Sequence, residues 1–134
     1  MESKFGAVVL LTSDLERARS FYGQGLGFQE LRGGADLAVY QLPGAGGLAL
    51  MRQETASKLT GLVLGDPPDM PSQFLSLQAD SNDAVDAFVA KAEAAGARVL
   101  RAPGDNDWGG YSAAFADPDG NAWTIGFNVE LFKR

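Results

Sequence analysis

The sequence predicts an α+β fold in which one order of elements, strand–helix–three strands, occurs twice. Two amphipathic helical segments, each ended by glycine, start about seventy residues apart. Short apolar runs of strand length accompany both helices, and clusters of Gly, Pro and Asp separate these runs. Because the same order recurs on both sides of a polar connection, the chain is interpreted as an internal duplication.

The first module, residues 5–52, begins with the run FGAVVLLT, which predicts a strand. In the segment SDLE that follows, Ser13 is expected to be the N-cap of a helix and Glu16 to complete a capping box. An apolar face continues along this helix until Gly25 and Gly27 end it. The segments FQELR, DLAVYQL and GLALMR then predict three further strands.

The second module, residues 73–128, repeats this order. The segment QFLSLQA predicts a strand, SNDAVDAFVAKAEAAGA a helix that ends at Gly96, and RVL, GYSAAFAD and NAWTIGFN the last strands. Residues 53–72 connect the modules and are expected to form a crossover or a partly ordered flap, since the segment is polar and contains proline. Both modules are assigned to a single domain, residues 1–134.

Composition and charge exclude several classes of function. The chain is long enough for one domain with a core, and 46% hydrophobic with 21% charged residues is typical of a globular protein. A net charge of −6 without a basic cluster argues against nucleic acid or an anionic membrane as a partner. The absence of cysteine and histidine removes disulfides, thiolate nucleophiles and the commonest metal ligand. The first apolar run is too short for a signal peptide or a membrane span, so a cytoplasmic location is expected.

Two motifs together resemble those of the vicinal oxygen chelate superfamily. TSDLERARSFYGQGLGF lies near the start and FADPDGNAW near the end, and the resemblance extends from Phe5 to Asn128. That superfamily includes glyoxalase I, extradiol dioxygenases, fosfomycin-inactivating enzymes and bleomycin-binding proteins. The resemblance implies that the two modules form a cupped, eight-stranded mixed sheet with the helices outside. It also implies a homodimer.

In the family, a metal is bound inside the cup by His or Gln on the first strand of each module and Glu on the last. Matching the motifs places Ala7, Ala49 and Thr124 at three of these positions. The fourth position falls on Phe74, or on Gln73 if the register shifts by one residue. Since alanine and phenylalanine supply no donor atom, no metal and no cofactor are expected.

The turn Asp-Pro-Asp-Gly contains the remaining carboxylates that could bind a cation. Asp117 and Asp119 are the pair to test for Mg²⁺ or Ca²⁺. Asp at the first position of a turn also accepts backbone N–H groups, and this structural interpretation is favoured by about four to one. Trp108 lies in a nearby acidic loop and is expected to be either a lid over a ligand or a plug for the barrel.

Alternation along the strands predicts which side chains would line the cup. The resulting lining is largely apolar with a few hydrogen-bonding groups, which is typical of a small-molecule pocket. The alternative is that small residues let the sheet close without a cavity. The predicted ligand-binding residues are Ala7, Val9, Ala49, Met51, Phe74, Ser76, Gln78, Trp108, Tyr111, Thr124 and Asn128.

Three functions remain open. The favoured hypothesis is a metal-independent small-molecule binding protein that sequesters a drug or toxin, as the bleomycin-binding relatives do. The second is an enzyme of the same fold that works without metal, with Tyr111, Gln78 or a carboxylate as acid or base. The third is a metal enzyme whose ligands are shifted by an error of register, and the lack of histidine argues against it. An enzyme of this fold would be of the lyase, isomerase or dioxygenase type. No catalytic residue is assigned.

Overall fold

The computed structural model divides the chain into two compact units, Met1–Asp66 and Pro67–Arg134. It describes residues 6–44, 46–66, 70–107 and 109–129. The first unit contains β1 (Val8–Thr12), α1 (Leu15–Arg19), a π-helical segment (Ser20–Gly25), β2 (Gln29–Gly33), β3 (Leu37–Gln41), β4 (Gly47–Arg52) and α2 (Gln53–Thr60). The second unit contains β5 (Leu75–Gln78), α3 (Asn82–Ala94), β6 (Arg98–Asp105), β7 (Tyr111–Ala116) and β8 (Ala122–Phe127).

The two units share one sheet topology. The first sheet has the order β1-β4-β3-β2, with β1 and β4 parallel and the other neighbours antiparallel. The second sheet has the matching order β5-β8-β7-β6, with β5 and β8 parallel. The predicted α+β fold with two βαβββ modules is confirmed, and its eight strands form two four-stranded mixed sheets.

Helix α1 begins at a different cap from the predicted one. Asp14 is the N-cap, and its carboxylate accepts a hydrogen bond from the backbone N–H of Arg17 at 3.1 Å. The hydroxyl of Ser13 instead accepts a bond from the Arg17 guanidinium at 3.2 Å. The capping-box prediction for Ser13 is therefore wrong. Asp and Ser cap helices about equally well, so adjacent Ser and Asp leave the choice to the tertiary structure.

The π-helical segment attaches this helix to one face of the first sheet. Phe21 and Tyr22 are fully buried, and their rings meet edge to face with centroids 4.9 Å apart. A side chain at Gly23 would lie 3.5 Å from the ring of Tyr40 on β3. Gly27 follows with φ of +80°, a left-handed conformation that favours glycine and allows the chain to turn into β2.

The connection between the modules contains a helix that the sequence analysis missed. Residues 53–60 form α2, and Gly61 ends it in a left-handed conformation with φ of +76°. The sequence QETASKLT has no glycine or proline, and Gln, Glu, Ala, Lys and Leu all favour helix. Ala56 is buried where α2 packs on β1 and β4. The expected crossover or partly ordered flap thus begins with a short helix, and residues 61–66 follow it without helix or strand.

The core of the second unit lies between α3 and one face of the second sheet. Ser81 caps α3 by accepting the backbone N–H of Ala84 at 3.0 Å. Val85 and Val89 on α3 are buried against Ala113 and Ile125 of the sheet. Burying each of these valines contributes about 1.5–3 kcal/mol, so this layer adds several kcal/mol to the stability of the unit.

The Asp-Pro-Asp-Gly turn is fixed by its first carboxylate. Asp117 is buried, and its Oδ1 accepts the backbone N–H groups of Asp119 at 2.9 Å and Asn121 at 2.8 Å. Its Oδ2 accepts the side-chain amide of Asn121 at 2.9 Å. Gly120 completes the turn with φ of +91°. The carboxylate therefore has the backbone-accepting role that the structural interpretation assigned to it.

Candidate functional site

The first sheet has one face that packs on α1 and one that does not. Val9 and Leu11 on β1 are 41% and 42% exposed, whereas Leu10 between them is 4% exposed. The strand pairing places Val9 beside Ala49, and Leu11 beside Met51. We call the side carrying these four residues the open face of the first sheet. The predicted alternation along β1 is seen, and the open face is wholly apolar at these positions.

A cavity of about 520 Å³ lies on this open face, within the first unit. Its floor is formed by Val9, Leu11 and Met51. One wall is α2, and the other is the irregular segment from Leu62 to Asp66. Leu62 and Val63 are 70% and 93% exposed, so the wall presents large apolar side chains to solvent. A cavity of this size and lining can hold a drug-sized apolar molecule.

The positions that the motif match assigns to metal ligands do not fit a metal. Ala49 neighbours Val9 on one side and Val39 on the other, so only alkyl groups surround it. Thr124 donates its hydroxyl hydrogen to Ser76 at 3.0 Å. Among the described residues no three carboxylates come together as a cation site, and the sequence has no histidine or cysteine. This donor set lacks the three or four ligands that a catalytic metal requires.

The open face of the second sheet, opposite α3, is polar instead. Ser76, Thr124 and Ala114 follow one another across β5, β8 and β7 in one row of the register. Gln78 is exposed two residues further along β5. Ser76, Gln78 and Thr124 thus share the face on which alternation placed them, away from the buried Trp123 and Ile125.

Arg101 continues this row on the edge strand β6, paired with Ala114, and the sequence analysis missed it. Its guanidinium donates to the hydroxyl of Ser112 at 2.9 Å and to the side-chain oxygen of Asn106 at 2.8 Å. Ser112 in turn donates to the same Asn106 oxygen at 2.8 Å. Asn106 is buried, which fixes the network in place. A single arginine in a predicted strand has no recognisable sequence pattern, because the residues that hydrogen-bond to it lie in other segments of the chain.

Two predicted site residues, Tyr111 and Phe74, lie outside this row. Tyr111 packs on the core of the second unit, and its hydroxyl donates to Asp86 on α3 at 2.6 Å. This bond raises the pKa of the Tyr111 phenol. Its placement corrects the expectation that Tyr111 lines the same face as Thr124, because the side chain has the opposite parity along β7. Phe74 precedes β5 and is 58% exposed.

Asn128 is a further correction. Strand β8 ends at Phe127, and Asn128 has φ of +56°, so the chain turns there instead of extending the row. Val129 then packs back over the strand, where a side chain at Gly126 would meet it at 2.6 Å. Ala7 lies just before β1 and is half-buried. Trp108 lies outside the described residues.

A second concave region on the helix side of the first sheet is closed by its own charges. Arg19 donates to Glu30 at 2.9 and 3.1 Å, and Tyr40 donates to Glu30 at 3.1 Å. The hydrogen bond from Arg19 lowers the pKa of the Glu30 carboxyl. Burial and the bond to Glu30 raise the pKa of Tyr40 to about 12. The cluster joins α1 to β2 and leaves no unpaired charge for a ligand.

Comparison with known proteins gives a consistent result. The family model of the Glyoxalase/Bleomycin resistance protein/Dioxygenase superfamily matches residues 4–125. A glyoxalase-related enzyme from Fulvimarina pelagi superposes with a TM-score of 0.83 at 27% identity, over 95% of this chain and 89% of that one. No curated protein matches the chain.

Two further solved structures are similar over nearly their whole lengths. A hypothetical protein from S. aureus has a TM-score of 0.82 at 26% identity, with 95% of each chain covered. A glyoxalase/bleomycin resistance protein/dioxygenase family enzyme from Burkholderia phytofirmans PsJN has a TM-score of 0.76 at 26% identity, over 92% of this chain and 97% of that one.

No helix among the described residues is long and apolar enough to span a membrane.

Proposed function

Because this chain belongs to the Glyoxalase/Bleomycin resistance protein/Dioxygenase superfamily, we propose that it binds a small, mainly apolar molecule without a metal. The observation that carries the proposal is the cavity of about 520 Å³ on the open face of the first sheet. Its lining by Val9, Leu11 and Met51 would bury an apolar ligand, which is the main source of affinity for such molecules.

The metal-independent part of the proposal is supported by chemistry at the motif positions. Ala7, Ala49 and Phe74 cannot donate an electron pair from their side chains, and the Thr124 hydroxyl is bonded to Ser76. A Lewis-acid metal needs several nitrogen or oxygen donors around it. Binding and sequestration need none, so this function fits the residues present.

Titration with Nile red, a neutral apolar dye, tests the cavity. We expect saturable fluorescence enhancement in the native protein, and about tenfold weaker binding in Leu11→Gln, because one apolar side chain of the floor is replaced by a polar one. Leu31→Gln is the matched control. Leu31 is a similarly exposed leucine on β2, at 55%, that does not line the cavity. Its substitution should leave the dye affinity unchanged.

The same titration repeated with Zn²⁺, Ni²⁺, Mn²⁺ or Fe²⁺ tests metal independence. Dye affinity and melting temperature are expected to be unaffected by a modest excess of each ion.

Two outcomes would contradict the proposal. Equal loss of dye binding in Leu11→Gln and Leu31→Gln would contradict the cavity as the site. Stoichiometric metal in the purified protein, measured by elemental analysis, would contradict the metal-free function.

A further inference from the structure

We propose that Arg101, on the open face of the second sheet, binds the carboxylate or phosphate group of a small molecule. The inference concerns the second unit alone. It stands whether or not the cavity of the first unit binds an apolar ligand. Arginine is suited to this role because its guanidinium stays charged and its N–H groups donate charge-assisted hydrogen bonds to an oxyanion.

The guanidinium of Arg101 is held in one position before any ligand arrives. It donates to Ser112 and Asn106, and more weakly to the backbone oxygen of Asp105 at 3.4 Å. Ser112 and Asn106 are also bonded to each other at 2.8 Å, which closes the network into a ring. An arginine with fixed rotamers loses little side-chain entropy on binding, so its hydrogen bonds to a ligand count almost fully.

The backbone also directs Arg101 to this face. The pairing of β6 with β7 is irregular on both sides of it, between Val99 and Arg101 and again between Arg101 and Gly104. Irregularities of this kind bend an edge strand and re-aim a side chain, and they are common beside functional sites.

The charge of Arg101 is not neutralised within its surroundings. In the described parts of the chain, no carboxylate lies within ion-pair distance of it, whereas Arg19 and Arg52 each have an acidic partner. The three hydrogen bonds use one Nη1–H and both Nη2–H groups, so the Nε–H and the second Nη1–H stay available as single donors on different edges of the guanidinium. Arg101 is exposed and can be reached from solvent.

The neighbouring positions leave space for an oxyanion and can add hydrogen bonds. Ala114 lies directly beside Arg101 in the register, and its methyl group leaves the sheet surface open. Thr124 and Ser76 follow in the same row and form a hydroxyl pair at 3.0 Å. Each hydroxyl carries one hydrogen and only one hydrogen is used between the two oxygens, so this pair can donate one further hydrogen bond to a ligand. An oxyanion above Ala114 would therefore meet a cation on one side and hydroxyls on the other.

The overall charge makes the local cation significant. The chain has a net charge of −6, and its long-range field therefore repels anions. Affinity for an anion must therefore come from a local positive group that is fixed in place. Among the described residues, Arg101 is such a group on an open sheet face, because the neutral side chains of Ser112 and Asn106 hold its guanidinium. This is the arrangement expected of a built anion site.

Three aromatic probes of equal size test the inference: benzoate, phenyl phosphate and neutral benzyl alcohol. Binding is followed by the chemical shift of the Arg101 side-chain Nε–H group in the intact chain. We expect saturable shifts with at least one anion and none with benzyl alcohol. Which anion binds more tightly distinguishes a carboxylate from a phosphate ligand.

Variants locate the site. Arg101→Gln should weaken anion binding by about ten- to a hundredfold, followed by calorimetry, since a charge-assisted pair is lost. Arg101→Lys keeps the charge but cannot reproduce the hydrogen bonds that hold the guanidinium to Ser112 and Asn106, and it should give an intermediate loss. Lys91→Gln is the charge-matched control. Lys91 lies on α3, which packs on the opposite face of the sheet, and its ammonium group lies over the ring of Phe88. This variant should bind both anions like the native protein.

The outcomes that overturn the inference are distinct. Absence of saturable binding by either anion, or equal binding of benzyl alcohol, contradicts an oxyanion site. Equal affinity in Arg101→Gln and Lys91→Gln contradicts the assignment to Arg101. If circular dichroism shows that Arg101→Gln does not fold, Ser112→Ala replaces it in the test, because this variant keeps the guanidinium but removes one of its hydrogen bonds. A loss of anion affinity in Ser112→Ala supports the inference. Unchanged anion affinity in that variant contradicts it. None of these results depends on Nile red binding to the first unit.

Discussion

The open faces of the two sheets differ in chemistry although the sheets share strand order and strand direction. In the first unit a row across the sheet reads Val9, Ala49, Val39 and Arg32. The corresponding row of the second unit reads Ser76, Thr124, Ala114 and Arg101. In the first unit, the first three side chains of the row are aliphatic, so the face is apolar there. In the second unit, the first three are two hydroxyl side chains and an alanine, so the face is more polar. The two units thus share one strand arrangement, and the side chains along this row differ.

The edge arginines sharpen this comparison. A register irregularity precedes each of them, between Glu30 and Arg32 in β2 and between Val99 and Arg101 in β6. Arg32 is exposed beside Val39, whereas Arg101 is fixed by Ser112 and Asn106. The same kind of register irregularity therefore precedes both arginines. They differ in the hydrogen bonds that hold the side chain.

The turns between the last two strands of each unit should differ most in stability. Asp117→Ala removes three hydrogen bonds to a buried carboxylate and should lower the free energy of unfolding by about 2–4 kcal/mol. In the first unit, the exposed Gln41 side chain bridges the carbonyls of Leu42 and Gly46. Gln41→Ala should cost only about 0.5 kcal/mol, because water replaces an exposed partner. Urea unfolding of both variants measures the difference, and similar losses would mean that the buried carboxylate does not fix its turn.

Thr124→Glu tests whether the second open face is an anion site or the remnant of a metal site. Two strand spacings, roughly 10 Å, separate this position from Arg101, and the two side chains can meet above Ala114. The introduced carboxylate should occupy Arg101 and weaken benzoate binding about tenfold by calorimetry, without creating a metal site.

Thr124→Gln is the neutral control of the same size and should keep most of the benzoate affinity. Elemental analysis of Thr124→Glu after incubation with Zn²⁺ or Ni²⁺ should find no stoichiometric metal. Tight metal binding by this variant, or unchanged benzoate affinity, would show that the two positions are not coupled through Arg101.

Arg32→Gln should have the smallest effect. It removes the same charge as Arg101→Gln from the corresponding strand of the first unit, but among the described residues no ring of hydrogen bonds like that of Ser112 and Asn106 holds Arg32. We expect less than about a twofold change in benzoate affinity, since an exposed arginine gains little from one ion pair. A loss as large as that of Arg101→Gln would show that a positive charge alone, and not a fixed guanidinium, determines anion binding.

The sequence by itself determined the duplicated βαβββ order, the glycine ends of the first and last helices, and the apolar face of β1. These features depend on local chemistry: strand periodicity, helix periodicity and the backbone freedom of glycine. It also showed that Ala7, Ala49 and Phe74 supply no metal donor, because that follows from residue type alone. The cytoplasmic location and the homodimer stay predictions.

The tertiary structure decided what depends on contacts between distant segments. It selected Asp14 over Ser13 as the cap, placed α2 against β1 and β4, and turned Tyr111 toward Asp86. It also made Arg101 a fixed cation, because Ser112 and Asn106 reach it from a neighbouring strand and a loop. Hydrogen-bond partners of exposed polar side chains are set by strand register and bulges, and these have no signature in the spacing of residues along one chain.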